Sequence, residues 1–309
     1  MNTQSNAMNE SFESPAIVPV ATSPVRPLYW SVRRELWGNR WIYIAPLGVA
    51  AVFLFGFLIS AVHLPAKMRA LSSLGPMEQR EAIAAPYDIV AGLMMFTLMI
   101  IGAFYCLEAL QSERRDRSIL FWKSLPVSDL TTVLSKASVP FVILPLLTFA
   151  ITVATQFIML LVSSAILLGS GQSVATLWTQ LSFIQMSMLL LYHLITVHTL
   201  WPAPVYGWLL LVSAWARRAA FLWAALPVLA IAGLEKHVFH TSHFVALLGF
   251  LLTGSGTEAV TAPNSFPMDP MTHLTPGRFL STPGLWIGLA VTAAFLAAAV
   301  RLRRYREPV

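Results

Sequence analysis

Long apolar runs alternate with short polar segments along most of this chain. A helix needs about 20 mostly apolar residues to cross a bilayer, because it rises about 1.5 Å per residue. We therefore expect an all-α membrane protein with six membrane-spanning helices. The expected spans cover about residues 42–64, 88–107, 139–168, 186–216, 219–234 and 285–300.

Two apolar segments admit more than one interpretation. Residues 186–216 contain the sequence Trp-Pro-Ala-Pro at 201–204 and form either one broken span or two short ones. One broken span keeps Arg217 and Arg218 on the same side as the other arginine clusters, so we favour it. Residues 242–253 are apolar but too few to cross, which predicts a re-entrant or interfacial helix before the last span.

The N-terminal region divides into a polar tail and an amphipathic segment. Residues 1–25 are polar and rich in proline, which predicts a disordered cytoplasmic tail ahead of a single membrane domain at 26–309. Residues 26–41 mix tryptophan and tyrosine with arginine, a combination typical of a helix that lies in the membrane interface. Glu35 falls opposite the apolar arc of this helix, whereas Arg33 falls inside it and would have to snorkel.

Composition and charge agree with a multi-pass membrane protein. Hydrophobic residues make up 57% of the chain and charged residues 11%, which excludes an ordinary soluble domain. Fifteen of the 20 lysines and arginines lie in four segments, at 26–40, 114–136, 217–218 and 301–306. Because such residues favour the cytoplasmic side, we expect both termini in the cytoplasm. The same distribution explains the net charge of +6 without a nucleic-acid partner.

The loop between the second and third spans has an unusual pattern. It carries Arg114, Arg115, Arg117 and Lys123 around the apolar sequence Ile-Leu-Phe-Trp at 119–122. An apolar patch inside a basic cytoplasmic loop is typical of a docking surface. Glu113 and Arg117 have the spacing of an i, i+4 ion pair, and Ser128 is placed to cap the next helix.

Motifs for catalysis, nucleotide binding and metal binding are missing from the sequence. It contains no G-x-x-x-x-G-K-[ST], H-E-x-x-H or G-x-S-x-G, and Cys106 is its single cysteine. We therefore expect no catalytic, cofactor or metal site, and the acidic residues Asp88, Glu108 and Glu235 stand at the ends of spans. A polar stripe follows the third span and predicts either interhelical hydrogen bonds or the wall of a substrate path. It consists of Thr148, Thr152, Thr155 and Gln156.

Two stretches resemble the membrane permease of type-2 ABC exporters. They are SERRDRSILFWKSLPVSD at 112–129 and WLLLVSAWARR at 208–218. The resemblance implies a coupling helix after the second span that docks on a separately encoded ATP-binding subunit, which binds ATP and magnesium. It also implies a second permease copy, as a homodimer or a heterodimer, in contact through the first and fifth spans. The residues implied in coupling are Glu113, Arg114, Arg115, Arg117, Phe121, Trp122 and Lys123.

Two other functions fit the same pattern of spans. One is a membrane anchor or assembly factor that transports nothing. The other is an intramembrane enzyme that uses His193, His198 and Asp88. We expect a transport subunit without enzymatic activity of its own. Such a subunit should co-purify with an ATP-binding protein, whereas an enzyme should not. No residue pattern selects a substrate or assigns a role to the outer loop at 254–283.

Overall fold

The computed structural model describes residues 25–115, 128–253 and 276–305. Within these residues the chain is helical and contains no strand. π-helical turns occur at Val139–Ile143, Thr196–Leu200 and Glu235–Phe239. In chain order the helices are α1 Val25–Gly38, α2 Trp41–Ala61, α3 Leu64–Leu71, α4 Pro76–Ala109, α5 Gln111–Arg115, α6 Asp129–Gly169, α7 Ala175–Gln180, α8 Phe183–Ile195, α9 Ala203–Trp215, α10 Ala220–Phe239, α11 His243–Thr253, α12 Pro276–Ser281 and α13 Pro283–Tyr305.

Six of the described helical stretches are long and apolar enough to cross a membrane. They are α2, Pro76–Glu113, α6, Ala175–Leu200, α10 and α13. This confirms the expected all-α class and the expected number of spans. The chain is therefore a multi-pass helical membrane protein.

The segment between the first two spans is helical. Residues 65–87 form most of α3 and the first turns of α4, which starts at Pro76 after Gly75. With 34 residues, α4 is about 50 Å long and exceeds the hydrocarbon layer of about 30 Å. Asp88, expected at the end of a span, consequently lies more than three turns inside this helix.

The fourth apolar run, expected at residues 186–216, is divided: Ala175–Leu200 is long and apolar enough to cross a membrane, and Ala203–Trp215 is a separate, shorter apolar helix. The π turn after α8 ends at Leu200, and α9 begins at Ala203 beyond Pro202. α8 packs against α6, whereas α9 packs against α4 and α13. Across the described residues 183–215 the two pieces do not lie side by side as an antiparallel pair. The break at Pro202 follows from its missing N–H group, which cannot continue a helix ladder.

The packing of α9 on α13 is the most extensive helix contact among the described residues, and it is parallel. A Cβ at Gly207 would lie 3.3 Å from Thr292, and one at Gly288 would lie 3.2 Å from Pro204. The Trp208 ring lies 5.8 Å from that of Phe295. The same register brings the end of α9, next to Arg217 and Arg218, level with the arginines that end α13.

α4 and α6 pack against each other in antiparallel directions. The side-chain amide of Gln156 donates to the Tyr87 carbonyl over 3.1 Å. Farther along, Tyr206 of α9 contacts both helices, because its ring lies 6.0 Å from Phe141 and its hydroxyl edge covers Gly102. These contacts pair residue 87 with 156 and residue 102 with 141, so α4 runs beside α6 for more than four turns.

Candidate functional site

Polar side chains from several helices form one network at the end of the bundle where α5 leaves the membrane. We call it the ion-pair cluster, and it consists of Arg34, Glu35, Tyr105, Glu113, Asp129, Lys136 and Arg303. Its central side chains are almost inaccessible: the exposed fraction is 6% for Glu35, 5% for Glu113, 2% for Lys136 and 4% for Arg303. The cluster therefore joins α1, α4, α5, α6 and α13.

Glu113 is the centre of the cluster. Its Oε1 accepts from Arg34 over 2.9 Å and lies 3.2 Å from the Lys136 ammonium. Its Oε2 accepts from Nη1 of Arg303 over 2.5 Å. Both oxygens of this carboxylate are thus committed to cations from three different helices.

Glu35 forms the second half of the cluster. Its Oε1 accepts from the Lys136 ammonium over 2.9 Å, and its Oε2 accepts from the Tyr105 hydroxyl over 3.1 Å. Lys136 therefore bridges two carboxylates. One comes from the amphipathic helix α1 and the other from α5, at the base of the basic loop.

The start of α6 is held by two further contacts. Asp129 accepts from Nε of Arg303 over 3.0 Å. Ser128 accepts from the Thr131 backbone N–H over 3.1 Å, which confirms the predicted helix cap. Residues 116–127 of the loop lie outside the described structure. Glu113, before this stretch, and Asp129, after it, both pair with Arg303.

The charges of the cluster balance. Glu35, Glu113 and Asp129 face Arg34, Lys136 and Arg303. A buried charge is costly unless it is paired and hydrogen-bonded, and removing one partner leaves the other unpaired in a poorly solvated site. The cluster consequently fixes the relative positions of the helices that contribute to it.

Ser213 of α9 makes another connection to the base of the loop. Its hydroxyl accepts from the backbone N–H groups of Leu110, over 2.9 Å, and of Gln111, over 3.0 Å. These N–H groups lie where α4 ends and α5 begins, so the side chain satisfies donors at the junction. The described parts of all four basic segments thus meet at this end of the bundle, which we call the basic end.

The predicted coupling residues fall partly within the described structure. Glu113 lies in the ion-pair cluster, and Arg114 and Arg115 continue α5. Arg117, Phe121, Trp122 and Lys123 lie outside the described residues, as does the predicted pair between Glu113 and Arg117. The docking surface therefore stays a prediction, while its attachment to the bundle is described.

The predicted path residues are buried inside the chain. Thr148, Thr152, Thr155 and Gln156 face the interior of the bundle. Thr152 donates to the Thr148 carbonyl and Thr155 to the Ile151 carbonyl, each over 2.7 Å. Gln156 makes the interhelical bond to Tyr87, so packing accounts for part of this polarity. A role in lining a path stays a prediction.

The orientation of α1 differs from the simple expectation for a polar face. Glu35, placed opposite the apolar arc, points into the bundle, while Trp30 and Trp37 are exposed. Arg33 lies over both rings, with its guanidinium carbon 5.2 Å from the Trp30 centroid and 4.6 Å from that of Trp37. Next to lipid the apolar face turns outward, so the polar face meets the protein.

Sequence reasoning singled out only Glu113 among the cluster residues and missed the other six. The sequence placed Lys136 and Arg303 among the topological charges and Glu35 opposite the apolar arc of α1. One available signal was the position of Lys136, which stands directly before the long apolar run of α6. A lysine at that position is typical of an ion pair or of a snorkelling side chain.

The structure does not gather the histidine-rich segments into a ligand arrangement within the described residues. Within the described residues no group of three or more His, Cys, Asp or Glu side chains could hold a metal ion. Glu235, next to the histidines at 237, 240 and 243, accepts from the backbone N–H groups of His243 and Phe244 over 2.6 and 2.8 Å. It therefore caps α11. His193 lies 3.0 Å from the Leu189 carbonyl of its own helix.

No protein-family model matches this sequence, and no curated protein matches it either. Its membrane class rests on the six apolar helices. Arguments about its function rest on the ion-pair cluster and on the sequence of the loop above it.

Proposed function

We propose that the chain is the membrane permease subunit of an ATP-driven exporter of the type-2 ABC class. It resides in a bacterial inner membrane with both termini in the cytoplasm. The observation that supports this proposal most is the attachment of the basic loop. The described residues at both of its ends, Glu113 and Asp129, belong to the ion-pair cluster, which joins five helices.

The cluster suits a loop that receives force from a partner. When an ATP-binding subunit closes on ATP and magnesium, it displaces the loop docked in its groove. Glu113 passes this displacement to α13 through Arg303 and to α6 through Lys136, because neither pair separates without stranding a buried charge. The spans then shift between inward-facing and outward-facing populations.

A second permease copy completes the assembly. In the most apolar 18-residue stretch of α10, only 6% is buried within the chain, and in that of α2 only 17% is buried. Both helices therefore present most of their surface outward. Ala220 and Ala224 of α10 face their own bundle, while the small residues Ala225, Ala230 and Gly233 are more accessible. Small residues permit close approach between membrane helices. A twofold homodimer through α2 and α10 is the simplest arrangement, and a related second permease is the alternative.

The test is co-purification of the tagged chain with an ATP-binding subunit from native membranes in mild detergent. Phe121→Ala together with Trp122→Ala removes the aromatic centre of the loop. Buried aromatic anchors carry much of an interface's energy, so we expect a loss of about 2 kcal/mol or more, roughly 30-fold in affinity.

The matched control is Phe239→Ala together with Trp286→Ala. It also removes one phenylalanine and one tryptophan, both exposed, at the opposite end of the bundle. This control should keep its ATP-binding subunit. Equal recovery of the subunit by the loop variant, or the absence of any ATP-binding subunit from the unsubstituted preparation, would overturn the proposal.

A further inference from the structure

Buried polar atoms without a hydrogen-bond partner lie along the contact of α4 with α6 and on Tyr206 of α9, whose ring reaches Gly102 and Phe141. Within the described residues they include the Thr148 hydroxyl, Oε1 of Gln156 and the Tyr206 hydroxyl. The exposed fractions of these residues are 1%, 1% and 3%. An unsatisfied polar group at such depth costs about 1–3 kcal/mol, so three of them in one region require an explanation.

The three atoms follow a single line. Thr148 and Gln156 are eight residues apart on one face of α6, with Thr152 between them. The antiparallel register sets Gln156 beside Tyr87, whereas Tyr206 lies over Gly102, level with Phe141. Thr148 lies between these two levels. We call this line, made of Thr148, Thr152, Gln156 and Tyr206, the polar seam.

The surroundings of the polar seam are apolar and adaptable. Met94, Met95 and Met159 are buried in the same helix contacts. The π turns Val139–Ile143 and Thr196–Leu200 lie against each other at its inner end. π turns are often found at functional sites, and methionine side chains adjust to ligands of varied shape.

We propose that the polar seam is the part of the transport path that binds an uncharged hydroxyl or amide group of an amphipathic substrate, and that water enters it. This inference rests on the proposed transport function. Threonine, glutamine and tyrosine offer neutral donors and acceptors, whereas an ionised group would need a counter-charge. The cations of the nearby ion-pair cluster already have partners.

The first test is the reactivity of single cysteines with a small methanethiosulfonate reagent, MTSEA, in the full chain in proteoliposomes. Thr148→Cys and Gln156→Cys are made in a Cys106→Ala background. The reagent attacks the thiolate, which forms readily in water and poorly in apolar surroundings. We expect both cysteines to react at least about tenfold faster than matched controls, equivalent to one unit of thiol pKa.

The matched controls are Leu144→Cys and Met159→Cys. Both residues belong to α6 and are as deeply buried as the test positions, but their side chains are apolar. Equal rates for test and control cysteines would overturn the hydrated seam. Thr148→Cys is a small change, so it keeps the test valid if Gln156→Cys fails to fold, as judged by size-exclusion chromatography.

The second test concerns the substrate class. Octyl glucoside, below its micellar concentration, should slow the labelling of Thr148→Cys several-fold. Octyltrimethylammonium and octanoate carry chains of the same length with charged heads and should not protect. Equal protection by all three, or protection by none, would overturn the uncharged class.

The proposal of the polar seam and the proposal of the exporter can be refuted independently of each other. Reactive seam cysteines in a chain that brings down no ATP-binding subunit support the seam and remove the exporter. An ATP-binding subunit on a chain whose seam cysteines are unreactive supports the exporter and removes the seam.

Discussion

Lys136 holds two carboxylates with one ammonium group. Glu35 lies 2.9 Å from it and Glu113 3.2 Å, and the three side chains belong to three helices. Each carboxylate has a further partner, Tyr105 for Glu35 and Arg303 for Glu113. At the scale of the residue, Lys136 and the direct Arg34–Glu113 pair thus hold α1 to the base of the basic loop.

Replacing Lys136 by methionine should destabilise the fold strongly. Methionine fills a similar volume but leaves two buried carboxylates short of a cation, at a cost of about 3–5 kcal/mol. The measurement is thermal unfolding of the chain in detergent, followed by tryptophan fluorescence. Lys67→Met, an exposed lysine on α3, is the matched control and should change stability by less than about 0.5 kcal/mol.

A double variant tests whether Glu35 and Lys136 stabilise the fold through the same network. Glu35→Gln together with Lys136→Met should cost less than the sum of the two single changes, because both act on one network. Strict additivity, or a Lys136→Met variant as stable as the Lys67→Met control, would contradict the role of the ion-pair cluster.

The members of the cluster could be predicted only in part from the sequence. Glu113 stood out because it opens a basic loop. Its partners did not, because Lys136 and Glu35 are 101 positions apart and Arg303 follows Glu113 by 190. Such pairs depend on which helix faces touch. Hydrophobic periodicity indicates that a face is buried, but it does not identify the facing helix.

At the scale of the helix, α9 and α13 owe their close parallel contact to glycine. Gly207 faces the backbone of Thr292 and Gly288 faces the ring of Pro204. Neither glycine places a side chain of its own between the two helices. Membrane helices gain most of their association energy from such close packing, because lipid is as apolar as the side chains it replaces.

Gly207→Ala should therefore weaken the structure. The added methyl group would lie 3.3 Å from the Cα of Thr292, so the two helices must separate, at a cost of about 1–3 kcal/mol. Gly48→Ala in α2 is the control, because no atom lies within 4 Å of its Cβ position. Thermal unfolding of both variants measures the difference. A Gly207→Ala variant that unfolds at the same temperature as Gly48→Ala would refute the close contact.

The membrane-spanning helices were predictable because apolar length is a local property. The polar helical segments between the first two spans, α3 and the first turns of α4, were not predictable. α4 begins twelve residues before its apolar run, and α3 lies in what was expected to be a loop. Both segments contain charged residues, so hydropathy says nothing about them, and their helices depend on packing against α6 and α7.

At the scale of the whole molecule, the basic segments gather at one end. Arg34 and Arg303 both contact Glu113, and Ser213 contacts the backbone at the base of the loop. The described parts of the four regions that carry most of the positive charge therefore lie at one end of the bundle, as the charge rule predicts for the end that faces the cytoplasm.

Cysteine labelling tests this arrangement in intact cells, in a Cys106→Ala background. We expect Arg217→Cys and Arg301→Cys to resist a membrane-impermeant maleimide until the cells are permeabilised. Ser73→Cys, exposed between α3 and α4, should react at once. Because α9 and α13 run parallel, the two arginine positions must give the same answer. Labelling of Arg217→Cys from outside would refute the proposed topology.

The order of the cluster residues along the chain has a consequence for biosynthesis. Glu113 and Lys136 are made early, whereas Arg303 is made only with the last of the described helices. Until α13 inserts, Glu113 and Asp129 lack a shared counter-ion, and the two ends of the loop are not joined. In a partly translated chain the two ends of the loop are therefore not yet held together, so the proposed ATP-binding partner would select for completed subunits if it recognises the joined loop.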